Sequence, residues 1–265
     1  MVIKLEELTR KYLYRHQNEE VAIDNKGVNV FIRFNLKSSE KLMVFSNGAV
    51  DYKKKTPPVF QRSSWVDDIP INCIFIDDCT IHGLKLATGW GVGNKKNHFI
   101  LLYSEIIKKI CDLLEINNKS TYYFGSSAGG YMSILLSTLH EKSKAIVINP
   151  QIYLNSHYNH KAVTWLLNKL FKDLSRNEII ENYRDRLSVI SFFKKYKRIP
   201  EIYYFQNRYC LEDVNVHLDP FLDDLTKYNI DASSIKIIQY HSKTLGHNPP
   251  DKAVTIKILK GIISW

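Results

Sequence analysis

Cysteine is scarce in this chain of 265 residues, which carries four: Cys73, Cys79, Cys111 and Cys210. The nearest two are separated by five intervening residues, a spacing that fits neither a zinc ribbon nor a redox Cys-x-x-Cys pair. A disulfide scaffold is thereby excluded, and reduced, mostly buried thiols are expected. Glycine (11) and proline (8) are also few, which excludes collagen-like and low-complexity chains, while a hydrophobic content of 45% excludes disorder. No apolar run approaches the ~20 residues a membrane-spanning helix needs. The amino end, from Met1 to Tyr12, is charged throughout and offers no signal-peptide core. A cytoplasmic protein is expected.

Negative charge is the minority, 27 Asp and Glu against 37 Lys and Arg, for a formal net charge of +10. Such a surplus favours an anionic partner: nucleic acid, phospholipid headgroups, a nucleotide-bearing cofactor or an acidic polymer. It adds weight to a peripheral place at the inner membrane face, and otherwise serves solubility. No nucleic-acid-binding module is recognisable, so no nucleic-acid partner is expected.

Apolar runs rich in β-branched and aromatic residues at Val28 to Phe34, Lys41 to Phe45 and Ile71 to Ile76 read as strands. From Phe99 to Leu114 apolar positions recur at helical spacing, which predicts a surface helix on a sheet. Later strands are expected at Thr121 to Phe124, Lys144 to Ile148, Ile202 to Phe205 and Ile235 to Tyr240, with a closing helix near Val254 to Ile263. Strands alternating with helices predict a single α/β domain over residues 1–265, with a mainly parallel sheet flanked by helices. The basic, helical stretch at about 155–200 is expected to insert as a cap over the carboxyl ends of the strands.

Gly125-Ser-Ser-Ala-Gly-Gly130 fits G-x-S-x-G with Ser127 at its centre, and it falls between a strand and a helix, where that motif must sit. A serine hydroxyl is a poor nucleophile until a base takes its proton, so a histidine and an orienting carboxylate are required. His247, in the loop Leu245-Gly-His-Asn-Pro-Pro250 after the last strand, is the best-placed histidine. The acid belongs after the penultimate strand, where Asp213 is favoured and Glu212 is the alternative. A helix is expected at Pro220 to Leu225, with Asp219 at its start. Oxyanion donors are expected from the backbone of Ala128 and of Gly48, with Asn47 and Ala49 as neighbours that could substitute. Gly89-Trp-Gly-Val-Gly93 lacks the spacing of a phosphate loop and reads as a rim loop whose Trp90 lines an acyl or sugar pocket. Lys53 to Lys55, Lys95-Lys96 and Lys194 to Arg198 read as solvated charge. With Trp65, Tyr158 and Trp165 they could flank a cleft for an anionic saccharide or coenzyme. His157 and His160 lack nearby acids, and no metal site is expected.

The serine turn, the Gln206-Asn207 to Asp213 segment after Tyr-Tyr-Phe205, and Gly246-His247 before the last helix resemble the α/β-hydrolase-fold serine enzymes. More narrowly, they are similar to small cytoplasmic proteins of bacterial capsule clusters, some of them polysaccharide O-acetyltransferases that use acetyl-coenzyme A. The resemblance implies a triad of Ser127, Asp213 and His247. It further implies acetyl-CoA as acyl donor with no tightly bound cofactor, a polysaccharide or oligosaccharide acceptor, which the basic surface leads one to expect is anionic, and peripheral association with a capsule-synthesis complex. An esterase or deacetylase with the same triad is the alternative. A non-catalytic partner in a glycan-assembly complex is a second.

Overall fold

The computed structural model describes residues 2–156 and 160–265, so His157 and Tyr158 lie outside the described residues. The chain begins with β1 (Val2–Lys4), α1 (Arg10–Arg15), β2 (Glu20–Asn25), β3 (Val28–Asn35), β4 (Leu42–Ser46) and β5 (Asn72–Ile76). It continues through α2 (Phe99–Leu114), β6 (Thr121–Ser127), α3 (Ala128–Leu139) and β7 (Lys144–Pro150). A helical excursion follows, α4 (His160–Leu170), α5 (Arg176–Asn182) and α6 (Val189–Tyr196), before β8 (Glu201–Asn207). The remainder is α7 (Leu211–Asp213), a π-helical stretch Val214–Leu218, α8 (Asp219–Lys227), β9 (Ile235–Tyr240) and α9 (Lys252–Ile263).

The described strands form one nine-stranded sheet in the order β1-β2-β3-β5-β4-β6-β7-β8-β9. From β5 to β9 all pairings are parallel, whereas β3 runs antiparallel to both β2 and β5. Alternation along each strand divides the core between two faces. Leu42, Val44, Ile74 and Tyr123 pack under α2, α3, α6 and α8, while Met43, Phe45, Phe75 and Phe124 pack against α9. With both faces covered, β4 and β5 are buried at every residue, as central parallel strands require. The chain order reverses around β4, and such a switch point opens a crevice at the carboxyl ends of the strands. No helix among the described residues is long and apolar enough to cross a membrane.

The helix expected at Pro220 to Leu225 is α8, which opens at Asp219, and it continues a helical run that begins earlier, at Leu211. The excursion between β7 and β8, the stretch expected as a cap, contributes apolar side chains to the core. Val163, Leu166, Leu167, Phe192 and Phe193 join the main core, and α6 lies on α3.

Candidate active site

The chain passes from β6 into α3 with no intervening loop, Ser127 ending the strand and Ala128 opening the helix. At Ser127 the backbone has φ 56° and ψ −124°, a conformation that costs a non-glycine residue on the order of 1–3 kcal/mol. The surrounding glycines make this bend sterically possible. A Cβ on Gly125 would lie 2.2 Å from the Gly129 carbonyl oxygen, and a Cβ on Gly129 would lie 2.5 Å from that of Ser46. Strand, bend and helix thus close on each other at backbone contact, and Ser127 is left at the edge of the crevice.

Three distant side chains meet there. His247 Nε2 lies 2.8 Å from Ser127 Oγ, and His247 Nδ1 lies 2.6 Å from Asp213 Oδ2. One neutral tautomer satisfies both contacts, with Nδ1–H donating to the carboxylate and Nε2 accepting from the serine hydroxyl. Asp213 is 0% exposed, whereas the neighbouring Glu212 faces solvent. Successive residues on a helix point about 100° apart, so only one of the two acids can face the histidine.

Two buried asparagines hold the histidine loop. Asn149 Nδ2 donates to the His247 carbonyl (3.0 Å), and Asn207 Nδ2 donates to the carbonyls of Ser242 (2.7 Å) and Gly246 (2.9 Å). The Asn149 side chain is tied to the backbone of Asn207 through Oδ1, which accepts from the Asn207 main-chain N–H at 2.8 Å. Asn149 carries no sequence signal of this role. Asn207 lay within the segment that supports the family resemblance.

Ser127 and His247 open onto a cavity of about 410 Å³ whose walls include Gly48, Ala49, Trp90 and Gln151. Trp90 is 2% exposed, and its indole N–H donates to Gln151 Oε1. Its loop is anchored from below by Asp78, which accepts from Gly89 N–H (3.0 Å) and Gly91 N–H (3.2 Å), while burial raises that carboxyl to about 6. Gly48 borders the cavity too, but its N–H already donates to Gln61 Oε1 at 2.9 Å. Gln61 in turn donates to the Ala49 carbonyl at 2.8 Å, so its side chain bridges the loop after β4.

The lysine clusters do not reach this cavity. Lys53, Lys54 and Lys55 sit on an exposed turn, Lys95 pairs with Asp173, Lys195 with Asp185 and Arg198 with Glu141. Trp165 is exposed on α4, and His160 is the first residue of that helix. The cation in the cavity wall is instead Arg62, which sequence patterning did not mark. Its guanidinium lies over the rings of Trp65 (5.5 Å) and Phe124 (5.1 Å), and Nη2 donates to Ser126 Oγ at 2.7 Å. Burial lowers its pKa to about 10, which leaves it charged at neutral pH.

No family model matches the chain, and no curated protein matches it. Solved structures do. The chain is similar to the capsule O-acetyltransferase of Neisseria meningitidis serogroup A, with a TM-score of 0.65 at 18% identity over 91% of this chain and 96% of that one. A histidine-to-alanine mutant of that protein in complex with CoA matches with a TM-score of 0.62, also at 18% identity, over 89% of this chain and 95% of that one. FphF, a fluorophosphonate-binding serine hydrolase of Staphylococcus aureus, matches with a TM-score of 0.54 at 14% identity over 90% and 92% of the two chains. The fold of this chain is therefore that of the α/β-hydrolases.

Proposed function

We propose that this protein is a serine-dependent acyltransferase that moves an acetyl group from acetyl-CoA through Ser127 to a hydroxyl of a bacterial surface polysaccharide. The observation that carries the reading is the continuous relay Asp213–His247–Ser127 at the mouth of an open cavity. The full-length likeness to a capsule O-acetyltransferase, one form of which binds CoA, supports the choice of donor and acceptor.

In the acylation half, His247 Nε2 takes the proton of Ser127 Oγ as that oxygen attacks the thioester carbonyl. Buried Asp213 stabilises the imidazolium that results. The oxyanion of the tetrahedral intermediate is met by the Ala128 N–H and by the Gly48 N–H, which serves once the Gln61 side chain withdraws. His247 then returns the proton to the departing thiol, leaving an acetyl ester on Ser127. In the second half the acceptor hydroxyl gives its proton to His247 and attacks that ester, and His247 reprotonates Ser127 Oγ as it leaves. Trp90, held by Gln151, forms the wall against which acyl group or sugar would lie. Hydrolysis differs only in that water replaces the sugar hydroxyl, so the acceptor decides between transferase and esterase.

The test is turnover of acetyl-CoA and of p-nitrophenyl acetate by the purified protein, with and without surface glycan. Glycan-stimulated release of CoA, with acetyl ester appearing on the glycan, is expected. Release that no glycan accelerates would assign an esterase, and no turnover of either donor would refute catalysis.

A further inference from the structure

We propose that Arg62 makes the Ser127 cavity selective for an acceptor sugar that bears a carboxylate or phosphate beside the hydroxyl being acylated. This rests on the acyl-transfer reading above and names its substrate class. Arg62 is held as a binding group would be, its plane packed over Trp65 and Phe124 and one nitrogen fixed on Ser126 Oγ. Yet Nη1 is buried and has no hydrogen-bond partner, and no carboxylate among the described residues pairs with the guanidinium. A desolvated cation without a countercharge is costly to a fold, and a ligand that supplies the anion removes that cost. Ser126 Oγ, which accepts from Arg62, keeps its own proton to donate to the same anion. The chain position fixes which substrate brings the charge. Arg62 rests on the residue immediately before the nucleophile, whereas the long pantetheine arm of acetyl-CoA holds its phosphates far from the thioester.

Titration calorimetry at constant ionic strength, with glucuronate, glucose 6-phosphate and glucose as probes, tests this directly. Either or both anionic sugars are expected to bind roughly tenfold more tightly than glucose, the scale of a charge-assisted hydrogen bond, and the pair separates carboxylate from phosphate recognition. The preference is expected to vanish in Arg62→Gln and to persist in part in Arg62→Lys, which retains the charge without the planar fork. Equal affinity of the wild-type protein for charged and neutral sugars overturns the inference, whether or not either variant folds. So does competition of saturating CoA against the anionic sugar, which would assign Arg62 to the donor. A parallel burst assay with p-nitrophenyl acetate separates the two levels. A normal burst with no anion preference sinks only the acceptor class, while no burst sinks the acyl-transfer reading and this inference with it.

Discussion

Replacing Asp213 by Asn is the sharpest single perturbation of the relay. The substitution is nearly isosteric at a residue that is 0% exposed, so packing is preserved while the charge beneath His247 is removed. Two losses follow from the 2.6 Å contact with Nδ1. A charge-assisted hydrogen bond becomes a neutral one, a difference of about 1 kcal/mol or more. The new amide can also donate to Nδ1, which moves the ring proton to Nε2 and turns the base facing Ser127 into a donor. In triads of this geometry the combined effect is about 10⁴ in kcat, or about 5.5 kcal/mol of barrier. Pre-steady-state release of nitrophenolate from p-nitrophenyl acetate measures it, with the loss expected in kcat and KM changing little. Glu212→Gln, at the exposed neighbour, is expected to stay within about twofold of wild type, as surface substitutions do. The reasoning is refuted if a folded Asp213→Asn protein keeps about a tenth of its activity or more, or if Glu212→Gln shows the larger loss.

Other outcomes follow from the same structure. Gln61→Ala should free the Gly48 N–H and speed acylation roughly fivefold, the value of one net hydrogen bond; a slower burst would show that Gln61 helps the reaction. Gly129→Ala must push a Cβ to 2.5 Å from the Ser46 carbonyl oxygen and should destabilise by about 1–3 kcal/mol in urea unfolding. Gly261→Ala, in α9 with nothing within 4 Å of the added carbon, should stabilise by about 0.5–1 kcal/mol, and equal effects of the two would contradict the steric reading. Burial, aided by Lys108 and Arg198, lowers His140 from 6.5 to about 4. A folded value below the unfolded one means that the stability contribution is complete above pH 6.5 and is lost as pH falls towards 4, an amount of about 3 kcal/mol. Unfolding free energies measured across that window should fall more steeply with acidification in wild type than in His140→Gln. Parallel curves would count against it.

Much of the fold was legible in the sequence because long, periodic elements advertise themselves. The apolar spacing from Phe99 to Leu114 marked both ends of α2, and the β-branched runs located seven of the nine strands within a few residues. The two missed, β1 and β2, lie towards one edge of the sheet, where short, charge-flanked segments such as Glu20 to Asn25 carry little alternation. The serine turn was readable because its steric demands impose glycines at fixed positions. The choice between Glu212 and Asp213 was not, since it turns on the phase of a helix that starts nine residues before the expected one. Arg62 was invisible for a different reason. It sits in the left-handed region, φ 66°, within a segment of no periodicity, and only the folded chain brings it over the rings of Trp65 and Phe124 beside Ser126. The lysine clusters, conspicuous in sequence, are paired or solvated away from the cavity.

The most direct measurement is the intact mass of the protein, quenched within seconds of mixing with acetyl-CoA in the absence of acceptor. A species heavier by one acetyl group is expected in wild type, mapping to the peptide that contains Ser127 and absent from Ser127→Ala. No adduct in a folded protein, or an adduct that persists in Ser127→Ala, would contradict acyl transfer through this serine.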